Sequence, residues 1–306
     1  MRADLELNVR DENWRNAAHA VNSLSELELL LGNVTSAVRE GEQSVVFADR
    51  FKYPFERMTT RTTLAEALYQ AGEVATARAR LAEAETLQRE RQPGYPILYS
   101  VSGFRFCDLL LADVECRAWQ ATVKTPRQHS FNRDVAPGEE TPSAEALNVA
   151  RQRTTATLLI SERNSWLLDI ALDHLTLGRV ALWAEILECA PDTGSLEHLD
   201  RAVYGIREGG DINFLPRALL SRAWLMTLRG RITEARANLG EAEQIAERGP
   251  MPLFLADIHL YRARLFFREE PEAAKEHLAK ARELIFKHGY LRRKEELEDA
   301  ERVILA

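Results

Sequence analysis

A unit of helix, glycine turn and helix recurs along this chain, and the alanines of its second helix return about every 40 positions. The clearest copy runs Leu64-Ala65-Glu66-Ala67-Leu68-Tyr69-Gln70-Ala71-Gly72-Glu73-Val74-Ala75-Thr76-Ala77-Arg78 and continues to Leu81 and Ala84. A second runs from Arg222-Ala223-Trp224-Leu225-Met226 to Gly230, then Ile232, Ala235, Leu239 and Ala242. A third has Arg262-Ala263 to Phe266, then Ala274, Leu278 and Ala281, and a fourth places Gly32, Val34, Ala37 and Ser44 at the matching offsets. Ala37 and Ala77 lie 40 apart, and Ala235 and Ala274 lie 39 apart. Such a period belongs to a solenoid of stacked helical hairpins, because one hairpin cannot bury its apolar face alone.

Between Ala77 and Ala235 the separation is 158, close to four periods, so the middle holds further hairpins with blurred signatures. Tyr99 to Ala112, with Gly103 at the small-residue position, reads as a first helix, and Ala144 to Glu162 as its late partner. Trp166 to Glu188, containing Ala171, is the next first helix, and Ser195 to Arg207, containing Leu199 and Ala202, is its second. The expected fold is all-α: one right-handed solenoid domain over 1–306, with hairpins at about 12–48, 56–91, 97–163, 165–208, 215–248 and 252–288. Gln120 to Thr141, with Pro126, Pro137 and Gly138, reads as an inserted loop. Ala65, Gly103, Ala171, Ala223 and Ala263 let paired helices approach, while Leu81, Leu199, Leu239 and Leu278 fill the next interface. A last helix over 290–305 carries Arg292, Arg293, Lys294, Glu295, Glu296, Glu298, Asp299 and Glu301, a polar face suited to capping a stack. Leu5 and Val9 precede the first hairpin without a helix of their own, as expected of a piece cut from a longer protein.

Composition agrees with helix over sheet, since only 15 Gly and 11 Pro stand among 306 residues rich in Ala, Leu, Glu and Arg. A formal charge of −7 argues against nucleic acid as the main partner, because that affinity comes from Lys and Arg neutralising phosphates. Met1-Arg2-Ala3-Asp4-Leu5-Glu6 has acids where a signal peptide needs an apolar run, and no stretch approaches a membrane span. A soluble, cytoplasmic chain is expected. Cys107, Cys116 and Cys189 lack CxxC spacing and suit reduced thiols.

Leu64-Ala65, Leu68, Gly72, Ala77, Leu81 and Ala84 together resemble the tetratricopeptide repeat. Longer runs resemble the C-terminal repeat region of bacterial signalling NTPases of the NACHT or STAND kind. They are Arg61-Thr62-Thr63-Leu64-Ala65-Glu66-Ala67-Leu68, Gln92-Pro93-Gly94-Tyr95-Pro96-Ile97-Leu98-Tyr99-Ser100, Phe104-Arg105-Phe106-Cys107-Asp108-Leu109-Leu110 and Asp169-Ile170-Ala171-Leu172-Asp173-His174-Leu175. Similar runs continue at Leu215-Pro216-Arg217-Ala218-Leu219-Leu220 and Ala256-Asp257-Ile258-His259-Leu260. The resemblance implies a sensing or scaffolding region whose partner domain, an NTPase or other effector such as a protease, lies upstream. No GxxxxGK[ST] occurs, so the chain lacks the phosphate-cradling loop of the NTPase itself.

In tetratricopeptide arrays the first helices line a concave groove. By alignment its wall here takes His19, Asn22 and Glu26 from the first hairpin and Thr59, Thr62 and Glu66 from the second. Ser100, Phe104 and Leu168 follow from the middle, then Arg217 and Trp224, and finally Asp257, Arg264 and Phe267. Polar and aromatic residues interleaved in this way suit a peptide or protein partner. Arg127, His129, Phe131 and Arg133 in the inserted loop are candidate further contacts.

Catalytic signals are sparse, and neither catalysis nor a cofactor is expected. His19, His129, His174, His198, His259, His277 and His288 are scattered, without HExxH or paired ligand spacing, so no metal site is expected, and no GxSxG occurs. Arg282 and His288 are similar in spacing to the RxxxxxH of helical ribonucleases, which leaves a helical regulatory subunit with weak ribonuclease activity as the alternative. The same two residues also suit a helix C-terminus through its dipole. Trp14, Trp119, Trp166, Trp183 and Trp224 sit at expected helical positions and read as core.

Overall fold

The computed structural model describes residues 2–124, 142–188 and 194–306, and among them there is no strand. The helices are α1 (Arg2–Arg10), α2 (Trp14–Leu30), α3 (Val34–Phe51), α4 (Pro54–Gln70), α5 (Val74–Arg91), α6 (Ser100–Leu110), α7 (Ala112–Lys124) and α8 (Pro142–Asn164). They continue as α9 (Leu167–Glu188), α10 (Ser195–Gly209), α11 (Leu215–Leu228), α12 (Ile232–Arg248), α13 (Pro252–Phe266), α14 (Pro271–Lys287) and α15 (Lys294–Ile304). Single 3-10 turns at Ile212–Phe214 and Leu291–Arg293 lead into α11 and α15.

The repeat period has a direct packing meaning. Ala37, Ala77, Ala235 and Ala274 are all essentially buried, and so are Leu81, Leu199, Leu239 and Leu278. A methyl group at the alanine sites lets two helix backbones come close, and the leucines fill the space behind them. The turns repeat as faithfully. The Gly72 N–H donates to the Tyr69 carbonyl at 3.0 Å and the Glu73 N–H to the Leu68 carbonyl at 2.8 Å. This helix stop needs a left-handed residue, and Gly72 takes φ 84° without the strain a Cβ would bring. The same long bond closes the turn at Asn33 to Glu28, Arg231 to Met226 and Tyr290 to Ile285. Prolines that would break a helix interior instead open α4, α8, α13 and α14, where the missing N–H costs nothing.

Two compact units form. Unit 1 holds the described residues of Met1–Leu109, Pro250–Leu253 and Leu284–Lys294; unit 2 holds those of Leu110–Gly249, Phe254–Glu283 and Glu295–Ala306. In unit 1, α1 departs from expectation: Leu5 and Val9 do have a helix of their own. With Trp14 they pack against Ala17, Ala18, Val21, Phe47 and Ala48. A nine-residue helix of this polarity is held by such contacts rather than by propensity, so its pattern alone is faint.

The third hairpin also differs. Its first helix is broken at Leu111 into α6 and α7 and runs on to Lys124, so the expected loop from 120 begins inside a helix; residues 125–141 lie outside the described ones. Gly103 does not serve a partner helix, since a Cβ there would stand 2.6 Å from the Leu98 carbonyl oxygen. Its smallness admits a local backbone crossing. Trp119, Trp183 and Trp224 are core, whereas Trp166 stands between α8 and α9 and is 40% exposed. In the last segment the polar face is not simply solvated. Arg293 and Glu296 are buried, and the Arg292 side chain is 3% exposed.

Candidate partner-binding faces

In unit 1 the first-helix face comes from α2, α4 and α6. His19 and Glu26 are exposed, Asn22, Thr59, Glu66 and Ser100 are half-buried, and Thr62 and Phe104 are buried. The Thr62 hydroxyl shares a 3.2 Å hydrogen bond with Ser102. Glu26 accepts from Arg105 Nη2 at 2.9 Å and from the Thr63 hydroxyl at 3.2 Å, and Arg105 Nη1 donates to Thr63 Oγ1 at 3.1 Å. These bonds tie together three successive first helices. Arg105, Thr63 and Ser102 were not among the expected wall residues, although Thr63 and Arg105 are one position from Thr62 and Phe104.

The same unit holds the 3-10 turn before α15. Arg292 Nη1 donates to Asp108 at 2.9 Å, and its guanidinium lies 4.2 Å from the centre of the Tyr69 ring. Burial disfavours the charge most strongly, but the Asp108 carboxylate, together with Tyr69 and Tyr290, outweighs it and holds the Arg292 pKa well above the ordinary value. His288 Nδ1 lies 3.1 Å from the Gly32 carbonyl oxygen, a contact that needs the Nδ1–H tautomer.

In unit 2 the corresponding face comes from α7, α11 and α13. Trp119 and Trp224 stack with centroids 3.6 Å apart at 13°, and Tyr261 meets both edge-on. Trp224 Nε1 donates to the Thr122 hydroxyl at 3.2 Å. The Arg264 guanidinium sits 4.6 Å from the Trp119 ring centre, and its Nη1 donates to Glu296 at 2.8 Å. Arg264 Nη2 is buried without a hydrogen-bond partner.

Trp224, Asp257 and Arg264 are therefore buried rather than standing on an open wall, while Leu168, Arg217 and Phe267 are half-buried. What closes over Trp119 and Arg264 is α15. Glu296, Asp299, Ala300 and Val303 meet Cys116, Trp119, Gln120 and Arg264 around a cavity of about 90 Å³. Gln120 Nε2 donates to Asp299 Oδ2. Burial first, and then the charges of Glu296 and Glu295, push the Cys116 thiol up to about 11.

Other expected sites fare differently. Arg282 makes a two-pronged ion pair with Glu301 at 2.7 and 2.9 Å, and His288 is held by Gly32, so each ribonuclease candidate already has a structural partner. Four histidines that look scattered meet in two pairs: His174 with His198, Nδ1 to Nδ1 at 2.8 Å, and His259 with His277 at 3.0 Å. Each pair joins the first and second helices of one hairpin, α9 with α10 and α13 with α14. Burial first, then the second histidine, lowers His174 and His259 to about 4. Among the described residues no group of three or more His, Cys, Asp or Glu could hold a metal ion, and no helix is long and apolar enough to cross a membrane. Arg127, His129, Phe131, Arg133 and Cys189 lie outside the described residues.

No family model matches the sequence, and no curated protein matches it either. Among solved structures, the apo form of RapI is similar in fold at 12% identity, with 94% of this chain and 95% of that one covered and a TM-score of 0.53. This chain is a TPR-like α-solenoid. Aspartyl phosphate phosphatase F from Bacillus subtilis aligns at 12% identity over 100% of this chain and 74% of its own, with a TM-score of 0.49. At such identity the likeness to RapI shows the solenoid's fold alone.

Proposed function

We propose that this solenoid is a protein-interaction module that takes a peptide or protein segment on its first-helix faces and passes that occupancy to an attached or associated effector. The observation that carries the reading is the Glu26, Thr63 and Arg105 network of unit 1. It spans three successive first helices, with Glu26 exposed, and it is not consumed in hairpin packing. Charged and polar side chains ordered in advance on rigid helices bind at a lower entropic cost than mobile ones. The resemblance of the longer runs to NACHT or STAND repeat regions supports an NTPase or protease as the effector, in cytoplasmic bacterial signalling or defence. A ribonuclease reading is not favoured, because Arg282 and His288 each serve a structural contact.

The test is a charge swap. In Glu26→Lys/Arg105→Glu the ion pair can reform, so the melting temperature stays near wild type while the pattern offered to a partner is inverted. A protein captured by the wild-type chain, identified and then purified, should lose at least about tenfold in affinity for the variant. Equal affinity for both would remove this face from the reading, and a chain for which no direct protein partner can be purified would remove the reading itself.

A further inference from the structure

The last helix is an acidic amphipathic segment packed on earlier helices of unit 2. α15 reads Lys-Glu-Glu-Leu-Glu-Asp-Ala-Glu-Arg-Val-Ile, and it buries Glu296, Leu297, Ala300 and Ile304. Those positions are spaced as one helix face. A solvated cap would turn its carboxylates outward. Here three of them are engaged by donors on earlier helices: Glu296 by Arg264, Asp299 by Gln120 and Glu301 by Arg282. The receiving face is the Trp119, Trp224 and Tyr261 cluster with Arg264 laid over it, the residue types that dominate protein-binding hot spots.

The fit is incomplete in a specific way. Arg264 is 3% exposed and offers a planar fork that suits two carboxylate oxygens at once. Glu296 satisfies only Nη1; Nη2 is left buried without a partner, beside a cavity of about 90 Å³ that Arg264, Glu296 and Asp299 line. A buried donor left unpaired weakens the state that leaves it so. A helix with a slightly different register or a better placed carboxylate can satisfy both nitrogens and fill the cavity, and would bind this face better than α15 does.

We infer that α15 is a built-in occupant of the aromatic and arginine face of unit 2, and that the partner which displaces it presents an acidic amphipathic helix of the same chemistry. This rests on the proposal that the first-helix faces bind protein segments, and it names the class of segment and the contact that holds the site closed. A tethered helix competes at high effective concentration, so a free peptide reaches the site only when the tethered copy is weakened.

The probe is a fluorescein-labelled synthetic peptide of residues 294–306, followed by anisotropy against the full chain. Glu296→Ala in the chain removes the partner of Arg264, and the peptide brings that glutamate back. This variant should bind the peptide at least about tenfold more tightly than wild type, and a peptide carrying Glu296→Gln should lose the gain. Should Glu296→Ala fail to fold, Asp299→Cys decides the matter. Position 299 faces Cys116, whose sulfur lies 3.9 Å from the Asp299 carboxylate. Oxidation of that pair should lock α15 down and abolish peptide binding, and reduction should restore it. Equal binding by wild type and a folded Glu296→Ala chain, or by oxidised and reduced Asp299→Cys, overturns the inference. Because neither variant touches the Glu26 and Arg105 face, a partner still lost in the charge swap would leave the broader reading standing.

Discussion

Arg292 and Asp108 lie 184 positions apart in sequence and meet at 2.9 Å, with 3% and none of their side chains exposed. The pair anchors the turn before α15 on a first helix of unit 1, as the pair between Arg264 and Glu296 anchors α15 itself on a first helix of unit 2. Each arginine also lies over an aromatic ring, Tyr69 in one case and Trp119 in the other. The same chemistry is thus used twice, and in both places it brings the end of the chain onto the faces that a partner is expected to use.

Breaking the first of these pairs should be costly. Asp108→Ala removes the carboxylate that faces the buried Arg292 guanidinium, and the expected loss is about 3–5 kcal/mol. Replacing both partners with apolar residues, Asp108→Leu/Arg292→Met, should recover most of it, because no buried charge is then left alone. Chemical denaturation of the three chains checks this. A single variant as stable as wild type would show that the pair contributes nothing.

Two turn glycines should respond unequally to alanine. Gly32 and Gly230 share a left-handed backbone, at φ 77° and 72°, so both substitutions strain the chain by about 1 kcal/mol. At Gly230 nothing stands within 4 Å of the added methyl, whereas at Gly32 it would meet Pro252 Cγ at 2.3 Å and His288 Nδ1 at 2.8 Å. Gly32→Ala should therefore lose roughly 3 kcal/mol in all, against about 1 kcal/mol for Gly230→Ala. Equal losses in a denaturant titration would mean that unit 1 yields freely around Gly32.

The hairpins were legible because their signal is local. Ala77 and Leu81, or Ala235 and Leu239, mark a buried stripe whatever lies elsewhere in the chain. Arg292 and Glu296 were not, since a charged residue on a helix reads as solvated until its distant partner is known. The histidine pairs were hidden for the same reason: His259 and His277 are 18 residues apart, a separation set by hairpin length rather than by a ligand motif. The break at Leu111 had no warning residue, as neither glycine nor proline stands there. Among the expected wall residues, exposure could not be read from alignment, because the burial of Arg264 depends on Glu296 of α15, which lies 32 positions away.

Acid should weaken the fold through the histidine pairs. His174 and His259 sit at about 4 in the folded chain, below the ordinary 6.5, because burial and the facing ring penalise the charge. Unfolding therefore takes up protons between those values, so their contribution is present above about 6.5 and is lost as pH falls towards 4. Asp173 acts in the opposite sense. Burial raises it to about 7, so its contribution is present at low pH and declines as pH climbs from about 4 to 7. The double variant His174→Gln/His259→Gln should flatten the acid limb of stability against pH, and Asp173→Asn should steepen the gain on raising pH from 4 to 7. An acid limb unchanged in the histidine double variant would contradict the pairing.

Cys116 should be a poor nucleophile while α15 stays docked. The thiolate is the reactive form, and with the thiol at about 11 almost none of it exists near neutral pH. Part of that shift comes from Glu296 and Glu295, which belong to the helix that covers it. Alkylation by iodoacetamide at pH 7.5, read by peptide mass mapping, should be at least about tenfold slower in the native chain than in denaturant. In Glu296→Ala, which loosens the helix and removes one of the charges, the native rate should rise towards the denatured one. A native rate already equal to that in denaturant would show that neither the burial of the sulfur nor the closed position of α15 persists in solution.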